Sequence, residues 1–312
     1  MLKVCKFGGS SVAGAEQFRK VRDIVLSDDS RRVVVISAAG KRTSDDHKLT
    51  DLLYLCHAHL TYGVSCADIL AAIRARFGSI RDELGLKTDL ESEFDALRRK
   101  MDKGISQDEL VSRGEYFAAR LMADYLGYDF LDSELWLRFK LDGTVDQEVS
   151  YEALSRAASG RRVVIPGFYG TMPDGSIKTF TRGGSDITGF LLADPRIVKD
   201  PLPIERITYS VLRVLSYIGA QVLHEGTIFP VREKNIPLNI RNTNQPDHPG
   251  TMIRESFDEP EEKADSSFIT GIAGRKDFSV ITITKNGMSN EVGVLRRVLE
   301  ILEKYQLVVE YL

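Results

Sequence analysis

The chain has 312 residues, 43% of them apolar and 28% charged, with a formal net charge of −3; this is the profile of a globular protein with a sizeable core and room for two domains. Its basic runs, Arg31-Arg32, Arg98-Arg99-Lys100 and Arg161-Arg162, are scattered over a slightly acidic chain, so no basic stripe is offered to a nucleic-acid backbone. Three cysteines, Cys5, Cys56 and Cys66, are too few for a disulfide framework, and no run reads as a signal peptide or a membrane span; a cytoplasmic protein with neither nucleic acid nor membrane as partner is expected.

KVCKF, from Lys3, reads as a short strand that ends at the turn Gly8-Gly9-Ser10-Ser11, after which Phe18, Val21, Val25 and Leu26 recur at helical spacing. RRVVVISAAG follows, and its unbroken β-branched run suits a parallel strand covered on both faces. Between about residues 49 and 126 the pattern turns helical, with capping boxes at Thr88-Asp-Leu-Glu91 and Ser106-Gln-Asp-Glu109 marking two helix starts. Cys56, His57 and His59 look like a metal cluster on paper. Neighbours one and two apart on a helix point in different directions, however, so packing roles and no metal site are expected there.

Strands resume at YDFLD and RRVVIPGFYG, and Pro173-Asp174-Gly175 turns the chain into IKTFT as a hairpin. The hairpin leads into TRGGSDITGFLLADPR. ITYSVLRVLSYIGAQVL then reads as an apolar-rich helix ending near Gly219, NIPLNIRN as another strand, and the acidic ESFDEPEEKADS as a linker. VITITK, an amphipathic helix from about Glu291 to Tyr305, and LVVEYL complete a β-α-β fragment.

Two glycine turns follow strands, Lys6-Phe7-Gly8-Gly9-Ser10-Ser11 and Arg182-Gly183-Gly184-Ser185-Asp186. Such turns at helix starts gather backbone N–H groups and the positive helix end into an anion site. Neither matches a P-loop or a dinucleotide fingerprint. Lys6 sits within an apolar strand, where its ammonium would be costly unless it meets an anion in a site; a lysine on an edge strand facing water is the alternative. Glu115 as a solvated helix-face residue and Asp186 as a first-turn helix charge are equally bland alternatives.

KFGGSSVA, VSRGEYFAARLMADYLG, PGFYG followed by TRGGSDIT, ADPRIV, SYIGAQVLHEGTIFPV and NIPLNIRNTNQPDHPGTMI occur in this order over nearly the whole chain. Together they resemble aspartate kinase, in the amino-acid kinase superfamily. The resemblance implies an α/β catalytic domain over 1–254, a three-layer αβα sandwich with a mainly parallel central sheet. A linker at 255–266 and a partial α+β ACT-type regulatory domain at 267–312 would follow. It also implies transfer of the γ-phosphoryl group of MgATP to the side-chain carboxylate of L-aspartate, on the route to lysine, threonine and methionine.

The same resemblance implies residue roles. Lys6 would counter charge on the transferring group, and Gly8, Gly9 and Ser10 would offer donors to the phosphates, with Arg196 near the nucleotide. Arg182 would clamp the α-carboxylate of aspartate within the Gly183-Gly184-Ser185 turn, Glu115 would pair with the α-amino group, and Asp186 would orient the ammonium groups. Ser37 and Thr50 correspond to positions near the substrate. Gln221 stands where many members carry a lysine that contacts ATP, and no role is assigned to it. Mg2+ is expected to travel on the nucleotide, a lysine or threonine effector to bind the ACT region, and the chain to form a homo-oligomer.

Two departures accompany the match. The helix starting near Gly184 should cross over to another strand, yet Asp194-Pro195 follows Leu192 almost at once; a segment that lines the adenine pocket in the family is expected to be missing near 193–194. The ACT-like region corresponds to the opening half of that domain. These departures keep two other readings in view, a non-catalytic amino-acid-sensing subunit and a superfamily kinase for another small anion.

Overall fold

The computed structural model describes residues 3–180, 205–218, 231–257 and 293–305. The first strand, β1 (Lys3–Phe7), is followed by α1 (Ala15–Leu26) and β2 (Arg31–Ile36). The long helical stretch then resolves into α2 (Leu49–Thr61), α3 (Ala67–Leu84), α4 (Leu90–Asp102) and α5 (Gln107–Leu126) before β3 (Asp129–Phe130), α6 (Gln147–Ala158) and β4 (Val163–Pro166). The four strands form one sheet in the order β1-β2-β4-β3, and every pairing is parallel.

The strand period of two divides the side chains between two cores. Val34, Ile36 and Val164 point into the larger core with Phe18 of α1, Phe77 of α3 and Phe117 of α5. Val33, Val163 and Ile165 pack on the opposite side with Trp136 and with Leu154 and Ala157 of α6. Helices therefore cover both faces, which is the three-layer arrangement expected. Phe117 anchors the larger core, stacked on Phe94 at 4.4 Å and tilted against Phe77 at 5.4 Å between ring centroids; truncating such a buried ring typically costs about 3–5 kcal/mol. Among the described residues the strand β1 ends this sheet, and its Val4 is 64% exposed, so there the apolar run KVCKF is covered only in its second half.

Capping follows only the serine half of one of the two expected boxes. Ser106 caps α5 by accepting from the Glu109 N–H at 3.1 Å, while the Glu109 carboxylate accepts from Lys100 Nζ at 2.6 Å. At α4 the cap is Asp89, not Thr88: Asp89 accepts from the Ser92 N–H at 3.1 Å. Thr88 is engaged elsewhere, donating its N–H and its hydroxyl to Asp124 of α5 at 2.8 Å each.

Beyond β4, the strands β5 (Tyr169–Thr171) and β6 (Ile177–Thr179) form the expected hairpin, with Gly175 supplying the positive φ of 86° in its turn. A second sheet joins β7 (Arg206–Thr208), β8 (Leu238–Ile240) and β9 (Thr251–Arg254) in the order β7-β9-β8, with α7 (Tyr209–Ile218) following β7 directly. Met1–Gly274 make one compact unit and Arg275–Leu312 another. In the second unit α8 (Val294–Lys304) is the described element; the expected strands VITITK and LVVEYL, and the segment near 193–194, lie outside the described residues. Among the described residues, no helix is long and apolar enough to cross a membrane.

Candidate active site

Parallel strands deliver their following loops to the same edge of a sheet, which is where α/β proteins place ligands. In the β1-β2 pair Lys6 lies opposite Val35 and Phe7 opposite Ile36. The turn after β1 and the loop after β2 are thus neighbours. They are joined by Ser37 N–H to Phe7 O at 3.2 Å and by Gly40 N–H to Gly9 O at 2.8 Å.

That closeness explains two glycines. A Cβ on Gly9 would lie 2.8 Å from Ala38 O, and one on Gly40 would lie 2.7 Å from the Gly9 carbonyl carbon. Both contacts are with backbone, which cannot swing away. Gly8 differs, because a Cβ there would meet nothing within 4 Å. The first residue of the turn therefore faces open space, where a bulky anion could approach the backbone, and Ser10 follows in the 3-10 turn Gly9–Val12.

The helix α5 brings Glu115 to this edge. A Cβ on its neighbour Gly114 would stand 3.0 Å from Ala38 Cβ and 3.2 Å from Leu53 Cδ1, so the glycine allows α5 to close on the β2 loop and on α2. Glu115 is 1% exposed. Its carboxylate accepts from the Ala38 N–H, yet its Oε2 has no hydrogen-bond partner among the described residues. Burial pushes its pKa up to about 8, against the opposing pull of the Ala38 and Glu115 backbone N–H groups and of the nearby Lys6 and Arg113 cations. Ser37, 4% exposed, likewise has an Oγ with no partner among the described residues. Two buried, orphaned polar atoms on one edge are costly unless a ligand meets them.

Thr50 sits in the first turn of α2, whose start is tied to the β2 loop through Leu49 N–H to Ala39 O at 3.3 Å. The positive end of α2 therefore faces the same region. The structure thus assembles Lys6, Gly8, Gly9, Ser10, Ser37, Thr50 and Glu115 around the carboxyl ends of β1 and β2. Arg182, Gly183, Gly184, Ser185, Asp186 and Arg196 lie outside the described residues, as does Gln221. The hairpin that leads to them is held to the first turn of α5, where Lys178 Nζ is 3.1 Å from Asp108 Oδ2 and the Thr179 hydroxyl donates to the same carboxylate.

Two contributors were not found by sequence reasoning. Thr243, between β8 and β9, has its Oγ1 2.8 Å from Ser11 Oγ in the glycine turn; contacts at that sequence separation leave no periodic trace. Arg76 of α3 shares the buried stripe of Ile73, Phe77 and Ile80, and an arginine in an apolar helical pattern was a legible signal. Of Cys56, His57 and His59, the cysteine is buried and both histidines are half-buried. His59 Nδ1 is 2.9 Å from Ser65 O, and Cys56 is buried with its thiol pushed up to about 12 by burial and by Cys66. Among the described residues no group of three His, Cys, Asp or Glu side chains could hold a metal ion.

The model of the amino acid kinase family matches residues 1–194 and 185–242. Aspartokinase 3 of Bacillus subtilis is 33% identical over 345 residues, covering 99% of this chain and 75% of the relative. The crystal structure of Clostridium acetobutylicum aspartate kinase, described as an allosteric enzyme, superposes with a TM-score of 0.85 at 42% identity, over 97% of this chain and 73% of that one. Escherichia coli aspartokinase III in complex with aspartate and ADP gives a TM-score of 0.71 at 25% identity, over 83% of this chain and 66% of its own. With the family model matched over most of its length and a relative 33% identical across 99% of it, the chain belongs to the amino acid kinase family, among the aspartokinases.

Proposed function

We infer that the protein transfers the γ-phosphoryl group of MgATP to the side-chain carboxylate of L-aspartate, giving 4-phospho-L-aspartate and ADP. The observation that carries this is the pair of orphaned buried atoms, Ser37 Oγ and Glu115 Oε2, on the sheet edge that also bears Lys6 and the open turn at Gly8. A cationic and polar substrate end satisfies the first two, and an anionic phosphate suits the second pair.

The acceptor titrates near ~3.9 when free, so at neutral pH it is already a nucleophile and requires no general base. One carboxylate oxygen forms a bond to the γ-phosphorus as the bond from phosphorus to the ADP oxygen breaks. The obstacle is repulsion between anions, and catalysis is positioning and neutralisation. Lys6 offsets charge on the moving group, while Gly8, Gly9 and Ser10 cradle the phosphates. Glu115 takes the substrate ammonium, Ser37 and Thr50 line its pocket, and Arg182, with Gly183, Gly184 and Ser185, clamps the α-carboxylate as a planar guanidinium does best. Asp186 orients the ammonium groups, and Arg196 lies on the nucleotide side. Mg2+ brought by MgATP would screen charge on the phosphates that Lys6, Gly8, Gly9 and Ser10 would hold.

The catalytic domain spans 1–254, followed by the linker 255–266 and an ACT-type region at 267–312. Support for a shortened segment near 193–194 comes from two facts: the family match falls into two pieces that meet at 185–194, and the Bacillus alignment runs to 345 positions against a chain of 312. A lysine or threonine effector at the ACT region, a homo-oligomer and a cytoplasmic location complete the reading.

A coupled assay of ADP release with L-aspartate and with L-glutamate tests it. Aspartate-dependent release that glutamate does not reproduce is expected. Aspartate binding without ADP release would instead indicate a sensing subunit, and a preference for another acceptor would indicate a different kinase of the family.

A further inference from the structure

Arg76 is 5% exposed in the core-facing stripe of α3. A guanidinium taken out of water is expensive unless its donors are matched. Its Nη1 donates to His47 O at 2.8 Å, and its Nη2 donates to Gly40 O and, at 3.4 Å, to Ala13 O, while its Nε has no hydrogen-bond partner among the described residues. Nη2 also stands 3.3 Å from Asp46 Oδ2. Asp46 is itself gripped within its loop, accepting from Arg42 Nε at 2.8 Å and from the Arg42 N–H at 3.0 Å.

These partners belong to two segments. Gly40, Asp46 and His47 lie on the loop from β2 to α2, which begins just after Ser37 and ends just before Thr50. Ala13 closes the turn that opens at Gly8, and Gly40 already touches Gly9. Between Lys41 and His47, the hydrogen bonds and ion pairs that leave the loop go to Arg76 among the described residues. The glycine turn, by contrast, has a second anchor in Thr243.

We propose that Arg76 is a positioning residue for the phosphoryl transfer: its fork holds the Gly40–His47 loop against the Gly9–Ala13 turn and so sets the aspartate-side groups Ser37 and Thr50 in place beside the phosphate-side turn. The proposal rests on the aspartate kinase reading. It assigns the aspartate side the greater dependence on Arg76, because the turn keeps its other tether when the fork is lost.

Steady-state kinetics of Arg76→Lys and Asp46→Asn test it, together with hydrogen exchange of peptides covering residues 38–49. A lysine keeps the charge but cannot reproduce the two-nitrogen fork of the guanidinium. The KM for aspartate is expected to rise about tenfold in Arg76→Lys and about threefold in Asp46→Asn, with the KM for ATP within about twofold of wild type. Exchange in residues 41–47 should quicken in both. A wild-type KM for aspartate in both variants, or an ATP KM that rises in step with it, overturns the proposal. Should Arg76→Lys fail to fold, Asp46→Asn decides by the same criteria. A wild-type protein without aspartate-dependent ADP release would sink the functional reading instead, and unaltered exchange in the two variants would then remove the clamp as well.

Discussion

Ser11 Oγ and Thr243 Oγ1 meet at 2.8 Å although 232 positions separate them. Beside this contact Asn244 Oδ1 accepts from Lys20 Nζ at 3.1 Å and from Gln17 Nε2 at 3.4 Å. The loop between β8 and β9 is thereby fastened to the glycine turn and to α1. Thr243→Val keeps the shape and deletes the hydroxyl. With a neutral hydrogen bond worth about 0.5–1.5 kcal/mol, the KM for ATP should rise by about three- to tenfold while the KM for aspartate stays put. Initial rates with each substrate varied in turn check this, and an aspartate KM that moves instead would detach Ser11 from the phosphate side.

Gly8 and Gly40 make a contrasting pair. Alanine at Gly40 would press its Cβ to 2.7 Å from the Gly9 carbonyl carbon, whereas alanine at Gly8 would meet nothing within 4 Å. Gly40→Ala should therefore lose about 1–3 kcal/mol of stability through overpacking. Gly8→Ala should unfold like wild type in urea yet bind ATP more weakly, since the methyl group would occupy the space proposed for phosphate. A stable, fully active Gly8→Ala would place the nucleotide elsewhere.

The proposed pairing of Glu115 with the substrate ammonium should make aspartate binding pH-dependent. Burial holds its pKa at about 8, so at pH 7 the ligand-free carboxyl is mostly protonated, while pairing with an ammonium needs it ionised. Aspartate affinity should therefore climb as pH rises toward 8 and level off above it. Binding at pH 7 should release close to one proton, seen as a buffer-dependent heat in calorimetry. The sign for stability is opposite: a carboxyl whose folded pKa is raised favours the fold most below its unfolded value of 4.5, and that contribution fades as pH rises through about 8. Glu115→Gln should flatten both dependences and weaken aspartate binding at pH 8. A pH-independent affinity in the wild type would take Glu115 out of the ammonium site.

Much of this architecture was legible because it is local. The run Arg31–Ile36 and the glycines after each strand announce a parallel sheet with loops on one edge, and Ser106 with Glu109 announces the start of α5. Lys6 stood out as a charge within an apolar strand, whereas Glu115 was singled out only through the resemblance of VSRGEYFAARLMADYLG to the aspartate kinases and read by itself as a solvated helix-face residue. Placement in three dimensions was not legible. Nothing near Thr88 reveals that Asp124 of α5 will occupy it and leave the cap to Asp89. The packing need behind Gly9 and Gly40 appears only when two loops from different strands touch, and the Thr243 anchor depends on a sheet formed much later in the chain.

Lys6 is the most demanding test, because it should move two observables in linked directions. Its ammonium lies close enough to Glu115 to pull that carboxyl's pKa down against burial. Lys6→Met removes the charge while keeping the aliphatic stem. Losing a preorganised cation at the transferring phosphoryl group should lower kcat by about a thousandfold, with the thermal midpoint little changed because the residue is only half-buried at the end strand. Without the cation, burial acts on Glu115 unopposed by Lys6, so the pH at which aspartate affinity levels off should move above about 8. Lys6→Arg, which keeps the charge but changes its shape, should restore the pH profile more fully than the rate. A thousandfold loss of kcat with an unmoved pH profile would leave Lys6 in catalysis but break its link to Glu115, and an unmoved kcat would make it the solvent-facing edge lysine that its strand position also permits.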